Sequence, residues 1–494
     1  MCGFVCLWQI DDPDLAARMI GKIAHRGPDD LQIQRLPGVP ATMAHCRLAI
    51  IAPDDGVQPI CGPADMLVAN GEIYNHAGLR ALLGPGRFAT QSDSETIVQL
   101  YRSERQRWIA LLDGMFAFVL ATPERVIAAR DPLGIKPLYR ARLGEGLAFA
   151  SELKAFDGLG FRDVCAIAPG QLFDSAAGAR SWYALPEGVA ELAPGADIDG
   201  IARGLRETLE AAVRKWLVAD VEVGAFLSGG LDSSLIAALA AQALGHPLKT
   251  VSVGTAGSPD LAAARAVAAH IGSDHHELVF DEDDLAEVLP HVLYHLESAD
   301  VDLVRSAMPT HFATTLARRH VKAVLTGEGA DELFAGYAYH HAYAHDPEAL
   351  AGEITRSLGT MHNINLQRVD RITMAQGLEA RTPFLDRDLI AHAQSIPAAL
   401  KMRVTEGTTI EKWILRKACE DLLPPALVWR KKAQFDEGSG TVDALDRALA
   451  RYSDRPLDRG VEGGLYRQLL SAQYQEPALV LGNAGQWAAH RVAV

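Results

Sequence analysis

The 494-residue chain is short of cysteine: Cys2, Cys6, Cys46, Cys61, Cys165 and Cys419 are scattered singly and make no paired framework. That excludes a disulfide scaffold and fits a reducing compartment, so a cytoplasmic location is expected. Excess positive charge is also missing. The formal net charge is −15, which repels phosphate backbones and argues against nucleic acid as a partner. No apolar run approaches 18 residues, which excludes an obvious membrane span. The first residues show no basic stretch leading into an apolar one, so no secretory leader is expected. Internal repeats and low-complexity tracts are absent too. What remains is globular: 49% hydrophobic and 22% charged residues, over a length that calls for two to four domains.

Two textures divide the chain. The first part reads as short strands separated by turns: GFVCLWQI, TMAHCRLAII, MLVANGEIY, MFAFVLA, RVIAAR and LAFAS, with helical patterns only around 13–24 and 94–106. That alternation predicts packed sheet layers. From about residue 198, long helical patterns (IARGLRETLEAAVRKWL, SSLIAALAAQAL, DLAAARAVAAHIG) alternate with the apolar runs VEVGAFL, LKTVSVG and KAVLTG. That order predicts a doubly wound α/β domain. Between them ALPEGVAELAPGADIDG (184–200), rich in Pro, Gly and acid, reads as an exposed joint. The expected division is 1–190 and 191–494.

Two stretches carry chemistry. Loss of Met1 from MCGFV would leave Cys2 with both a thiol and a free α-amine, a nucleophile and a base in one residue. In the second part, VGAFLSGGLDSSLIAALAAQAL runs from a strand through S-G-G-L-D-S-S (228–234) into a helix. Gly229 and Gly230 let the backbone approach an oxyanion, and the helix start offers unpaired N–H groups. Ser228, Ser233 and Ser234 add hydroxyls, and Asp232 can hold the Mg²⁺ that makes a polyphosphate tolerable in an acidic protein. The loop lacks the lysine of G-x-x-x-x-G-K-[ST] and is not G-x-G-x-x-G, so it is neither a Walker A loop nor a dinucleotide fingerprint. It resembles the pyrophosphate-binding loop of ATP pyrophosphatases, which form acyl-adenylates.

Both parts then resemble one family. M-C-G (1–3), H-R-G-P-D (25–29), R-L-A-I-I (47–51), N-G-E-I-Y-N-H (70–76), S-D-S-E (92–95), D-G-M-F-A-F (113–118) and R-D-P-L-G-I-K-P-L-Y (130–139) are similar to class II glutamine amidotransferases. S-G-G-L-D-S-S, G-S-P-D-L (257–261), L-T-G-E-G-A-D-E-L-F-A-G-Y (325–337), G-L-E-A-R-T-P-F-L-D (377–386) and W-R-K-K-A-Q-F (429–435) are similar to asparagine synthetase domains. The co-linear set spans nearly the whole chain and resembles glutamine-dependent asparagine synthetases. The resemblance implies an αββα N-terminal-nucleophile sandwich and then a doubly wound ATP-pyrophosphatase-type domain. It implies amidation of aspartate with ammonia from glutamine through an aspartyl-AMP intermediate, releasing AMP, pyrophosphate and glutamate.

By the same resemblance, Cys2 attacks the glutamine amide, with Asn70 and Gly71 as oxyanion donors. Arg47, Leu48, Ile50, Ile51, Asn70, Gly71, Glu72 and Asp93 hold glutamine, Arg47 on its carboxylate and Glu72 with Asp93 on its ammonium. Leu227, Ser228, Gly229, Gly230, Asp232, Ser233, Ser234, Val253, Thr326 and Gly327 surround ATP. Asp232 and Asp331 hold Mg²⁺, Glu328 stands near the attacking ammonia, and Lys432 (or its neighbour Lys431) stabilises phosphate charge. Glu379 and Arg381 support the synthetase site. A homodimer is implied, as is a sheltered apolar passage that keeps ammonia unprotonated between the halves.

Several weaker signals are read more plainly. His341 and His345 have the i, i+4 spacing of a metal pair on one helix face, but no third ligand stands nearby, so zinc is not expected. Cys419 reads as a small buried helix residue, and Trp413 and Trp429 as core. After Gly440 the chain is short, FDEGSG departs from the family wording, and 338–362 holds few family landmarks. These stretches leave room for a different small-molecule or peptide carboxylate as acceptor. Relatives that close β-lactam rings carry Tyr where this chain has Glu328. A silent glutamine or nucleotide sensor would have lost Cys2, Asp232, Glu328 or Asp331, and this chain has all four.

Overall fold

A computed structural model describes residues 2–103, 108–405, 407–430, 438–452 and 458–485. The first half builds two six-stranded antiparallel sheets. One has the order Arg162–Ala166, Tyr139–Leu143, Gly146–Ala150, Cys2–Trp8, Ala41–Arg47, Asp30–Arg35. The other runs Gly178–Ser181, Gln171–Asp174, Val126–Arg130, Gly114–Ala121, Met66–Ile73, Ile60–Cys61.

Side chains alternate across each strand, which decides the layering. Phe4, Cys6 and Trp8 point between the sheets against Met43, Val68, Val119 and Phe149. Val5 and Leu7 point outward onto the helix Pro13–Gly21 through Leu15 and Met19. That helix starts where Asp12 accepts the Leu15 N–H at 2.8 Å and Pro13 fits the first turn. On the far side, Phe116 and Phe118 pack under Ile97 and Leu100 of the helix Glu95–Ser103. The result is the αββα sandwich. Six strands here carry no clear sequence signal. Arg162–Ala166 and Gly178–Ser181, for instance, are edge strands with mostly exposed residues and no apolar alternation. R-L-A-I-I does not continue its strand, which stops at Arg47.

The second half has a five-stranded sheet in the order Asp274–Val279, Lys249–Gly254, Val223–Phe226, Ala323–Leu325, Glu379–Arg381, parallel throughout. Chain direction across the sheet reverses at Val223–Phe226, so a crevice opens beyond the carboxyl ends of that strand and Ala323–Leu325. Residues 182–197 form no helix or strand and lie along the second half: the Val189 N–H donates to Gln394 O at 3.1 Å and Ala398 N–H to Val189 O at 2.9 Å. The helix Ile198–Trp216 comes next, capped by Asp197. Among the described residues no helix is long and apolar enough to cross a membrane.

Three smaller expectations fail. Trp429 is 41% exposed rather than core, because it ends the short helix Pro425–Val428 at the surface. Cys419 is buried but caps the helix Trp413–Ala418 instead of lying within it. His341 lies in a 3₁₀ helix ending at Tyr343 and His345 lies beyond it, so the i, i+4 face does not exist.

The seam between the halves is part apolar, part ionic, where the ammonia chemistry suggested an apolar lining. Leu48, Ile50, Tyr74 and Met115 join one core with Leu205, Trp216 and Leu227. Beside them, fully buried Arg26 bonds Glu152 at 2.5 Å and Asp370 at 2.9 and 3.2 Å, tying the sandwich to the helix Asn365–Met374. Arg371 of that helix reaches back to Tyr139 at 3.1 Å.

Candidate active site

Cys2 opens the strand that pairs with Ala41–Arg47, which sets it opposite Arg47. Its backbone N–H donates to Asn70 Oδ1 at 3.0 Å, and Arg26 Nε donates to its carbonyl at 3.1 Å. The first contact fixes the Asn70 amide so that Nδ2, wholly buried, has no hydrogen-bond partner among the described residues. A buried donor without an acceptor is costly, and a developing oxyanion is what would satisfy it. Gly71 is next, with φ +139°, and a Cβ there would lie 1.9 Å from Met115 O, so only glycine fits this turn of the strand. Burial pushes the Cys2 thiol up, while the Leu48 backbone N–H and Arg47 favour the thiolate.

The other predicted glutamine contacts surround this cysteine with varied freedom. Arg47 spends donors on the carbonyls of Pro53 (3.0 Å), Ile51 (3.3 Å) and Ala52 (2.6 Å). The guanidinium therefore braces the loop after its own strand. Ile50 O accepts from Asp220 N–H of the second half at 3.1 Å. Asp93 accepts the Ile73 N–H at 2.7 Å, and burial raises its carboxyl. Burial also raises Glu72 well above the ordinary range, reinforced by repulsion from Glu379 and Asp93. An ammonium between Glu72 and Asp93 would relieve that repulsion.

In the second half a cavity of about 240 Å³ lies at the crevice. Leu227, Ser228, Gly230, Asp232, Ser233, Val253, Thr326 and Gly327 line it, as do Glu328 and Asp331. Gly229 turns the loop with φ +73° and packs on Ala263 and Ala264. Ser234 is buried beneath, its Oγ donating to Gly230 O at 2.6 Å. Neither of these two lines the cavity. The helix Leu231–Ala243 starts at Gly230 with no side-chain cap, leaving its first-turn N–H groups for an anion.

Sequence reasoning missed Lys412. It is 2% exposed, has φ +54°, and its Nζ sits 2.5 Å from both Asp232 Oδ2 and Asp331 Oδ1. The two carboxylates predicted to share a cation thus converge on one positive charge, and such a pair of oxygen donors fits Mg²⁺. Only the E-K before the helix W-I-L-R-K could have flagged this lysine, and a lone lysine is ordinarily solvated. Lys432 and Lys431 lie outside the described residues. Arg368, also missed, lies on the cavity wall and forms an ion pair with Glu328.

Glu379 and Arg381 turn their side chains toward the glutamine side. Arg381, wholly buried, bonds Glu379 at 2.5 Å and the carbonyls of Trp216 and Val218, both at 2.7 Å, and its Nη2 lies 3.8 Å from Glu72. Its own carbonyl accepts the Thr326 N–H at 2.8 Å. One strand therefore touches both candidate sites.

Residues 1–205 match the Glutamine amidotransferase domain family, and residues 204–351 and 343–493 match the Asparagine synthase family. The chain belongs to the glutamine-hydrolysing asparagine synthetase family. It is 38% identical to asparagine synthetase [glutamine-hydrolyzing] 3 of Arabidopsis thaliana over 92% of this chain and 83% of that protein. Over 92% of its length it is equally identical to asparagine synthetase [glutamine-hydrolyzing] 2 of Oryza sativa subsp. japonica, covering 80% of it, and to the Asparagus officinalis enzyme, covering 81%. Family membership accounts for two sites in one chain and for their order.

Proposed function

We propose that the protein amidates aspartate to asparagine, using ATP and nitrogen released from glutamine. The observation that carries this is the shared strand: Arg381 approaches Glu72 with its side chain and holds Thr326 with its carbonyl. A nitrogen-releasing site and an adenylating site are then parts of one unit.

In this reading Cys2, freed of Met1, attacks the glutamine amide carbon, with its own α-amine taking the thiol proton. Asn70 Nδ2 and the Gly71 N–H receive the oxyanion. Ammonia leaves, and water releases glutamate from the thioester. Glu72 and Asp93 hold the glutamine ammonium, and Arg47 its carboxylate. Across the seam, the acceptor carboxylate attacks the α-phosphorus of ATP and pyrophosphate departs. Ammonia then attacks the acyl-adenylate carbon and AMP leaves, with Glu328 taking the surplus proton. Asp232 and Asp331 would hold Mg²⁺, which neutralises phosphate charge when bound. The functional halves divide near residue 190, the protein works in the cytoplasm, and it assembles as a homodimer.

The test is a product assay with glutamine, ATP, Mg²⁺ and aspartate. Equal amounts of asparagine, AMP and pyrophosphate are expected. Glutamine hydrolysis without aspartate-dependent AMP would overturn aspartate as acceptor.

A further inference from the structure

We propose that Arg368 recognises the acceptor's second carboxylate, and that its ion pair with Glu328 is a resting contact which that carboxylate breaks. This rests on the function proposed above and assigns the residue that selects the acceptor.

Four described cations line the cavity: Arg368, Lys412, Arg416 and Arg430. Three are committed elsewhere. Lys412 lies between Asp232 and Asp331. Arg416 donates to Glu411 and to the carbonyls of Val428 and Arg430. Arg430 donates to Gly229 O and Asp260, both at 3.1 Å. Arg368 differs. Its Nη1 donates to Thr310 Oγ1 at 3.0 Å and its Nη2 to Glu328, but its Nε has no partner among the described residues. The residue is 7% exposed. A buried guanidinium N–H left open is costly, and a carboxylate is the group that matches the guanidinium fork.

Its position fits the acceptor. Arg368 touches the carboxylate assigned to the point of ammonia attack, and in aspartate only two carbons separate the reacting carboxylate from the other one. An acceptor seated for reaction brings that second carboxylate within reach of the guanidinium. Arg368 then trades Glu328 for the ligand. As the N–C bond forms and the C–O bond to AMP breaks, the freed Glu328 oxygen receives the proton shed by the ammonia nitrogen. Amidation therefore waits for an acceptor with a carboxylate at the right distance.

The test compares aspartate with β-alanine, which is aspartate without its α-carboxylate, by pyrophosphate release from ATP. Wild type is expected to prefer aspartate by about 10³-fold or more in kcat/KM, the discrimination of a site whose polar group is left unpaired. In Arg368→Met the KM for aspartate should rise about 100-fold and most of the preference should vanish, as when one partner of a buried charge pair is lost. The KM for ATP should stay where it was, which a merely structural defect would not allow. Arg368→Lys should keep part of the preference, and it carries the same comparison if Arg368→Met does not fold by circular dichroism. Unchanged aspartate KM and unchanged preference in a folded variant would overturn the role of Arg368 alone. A wild type that makes AMP with neither acceptor would overturn the proposed function, and this inference with it.

Discussion

The two candidate sites handle charge in opposite ways. Around Cys2, donors stand open: Asn70 Nδ2 is buried and has no hydrogen-bond partner among the described residues, held in place by the Cys2 N–H on its other atom, and buried Arg381 Nη2 likewise has none. Around the cavity, each lining carboxylate has a cation of the same chain: Asp232 and Asp331 share Lys412, Asp260 has Arg430, Asp302 has Arg459 at 2.9 Å, and Glu328 has Arg368. The first arrangement is ready for an oxyanion with no internal contact to break. The second is neutralised at rest and must exchange partners when a polyphosphate and an acceptor arrive. A site that makes free ammonia benefits from immobility, and a site that must admit several charged groups benefits from a cation that can change partners, as Arg368 does in the proposal above.

The largest expected effect separates the sites outright. Cys2→Ala should cost about 10³-fold or more in glutamine-dependent synthesis while synthesis from added ammonium persists, read by asparagine formation with each nitrogen source. Next comes the seam. Arg26→Met removes the cation that Glu152 and Asp370 share and leaves them to Lys154 and Arg371, a loss of about 3 kcal/mol measurable by urea unfolding. Asn70→Ala should lower the glutaminase kcat by about 10²-fold with little change in KM, since the open donor acts on the transition state. Lys412→Met sharpens the contrast: it should destabilise by roughly 3 kcal/mol as Asp232 and Asp331 face each other. Mg²⁺ alone should then raise the melting temperature of the variant more than that of wild type.

The smallest effect concerns pH. Glu332, buried between Tyr337 and Asn365, has its carboxyl raised from 4.5 to about 7, chiefly by burial and then by Asp331. A proton held more tightly in the folded state favours folding fully below pH 4.5, and that contribution is lost as pH rises through 7. Glu332→Gln keeps an acceptor oxygen and cannot ionise, so its stability relative to wild type should climb between pH 4.5 and 7 and then level off. Parallel unfolding curves at pH 4.5, 6 and 8 check this.

Much of the frame was legible, for a physical reason. Strands buried on both faces, such as Gly114–Ala121, are near-continuous apolar runs, and S-G-G-L-D-S-S announces its turn by glycine and its helix by the Ala/Leu run behind it. The half-exposed strand Asp30–Arg35 and the buried, three-residue strand Glu379–Arg381 are set by neighbours distant in sequence and leave no local pattern. The same holds within the sites. Cys2, Asn70 and Asp232 sit in motifs, whereas Lys412 and Arg368 act through partners 180 and 40 residues away. No window of sequence shows a charge which carboxylate it will meet. Arg47 was legible as a cation near the nucleophile, but not as a brace for the carbonyls of its own loop.

The place of Arg381 bears on how such proteins can be rebuilt. Its side chain comes within 3.8 Å of Glu72 in the sandwich while its carbonyl holds Thr326 at the crevice, so one residue makes contacts on both sides of the boundary drawn along the chain. A glutaminase half with no acid at the position of Glu72 would remove a carboxylate that faces this guanidinium across the seam, leaving it to Glu379 and the carbonyls of Trp216 and Val218. A chimera keeps this contact when the incoming sandwich carries an acid opposite the last strand of the parallel sheet, although nearly two hundred residues separate them in sequence.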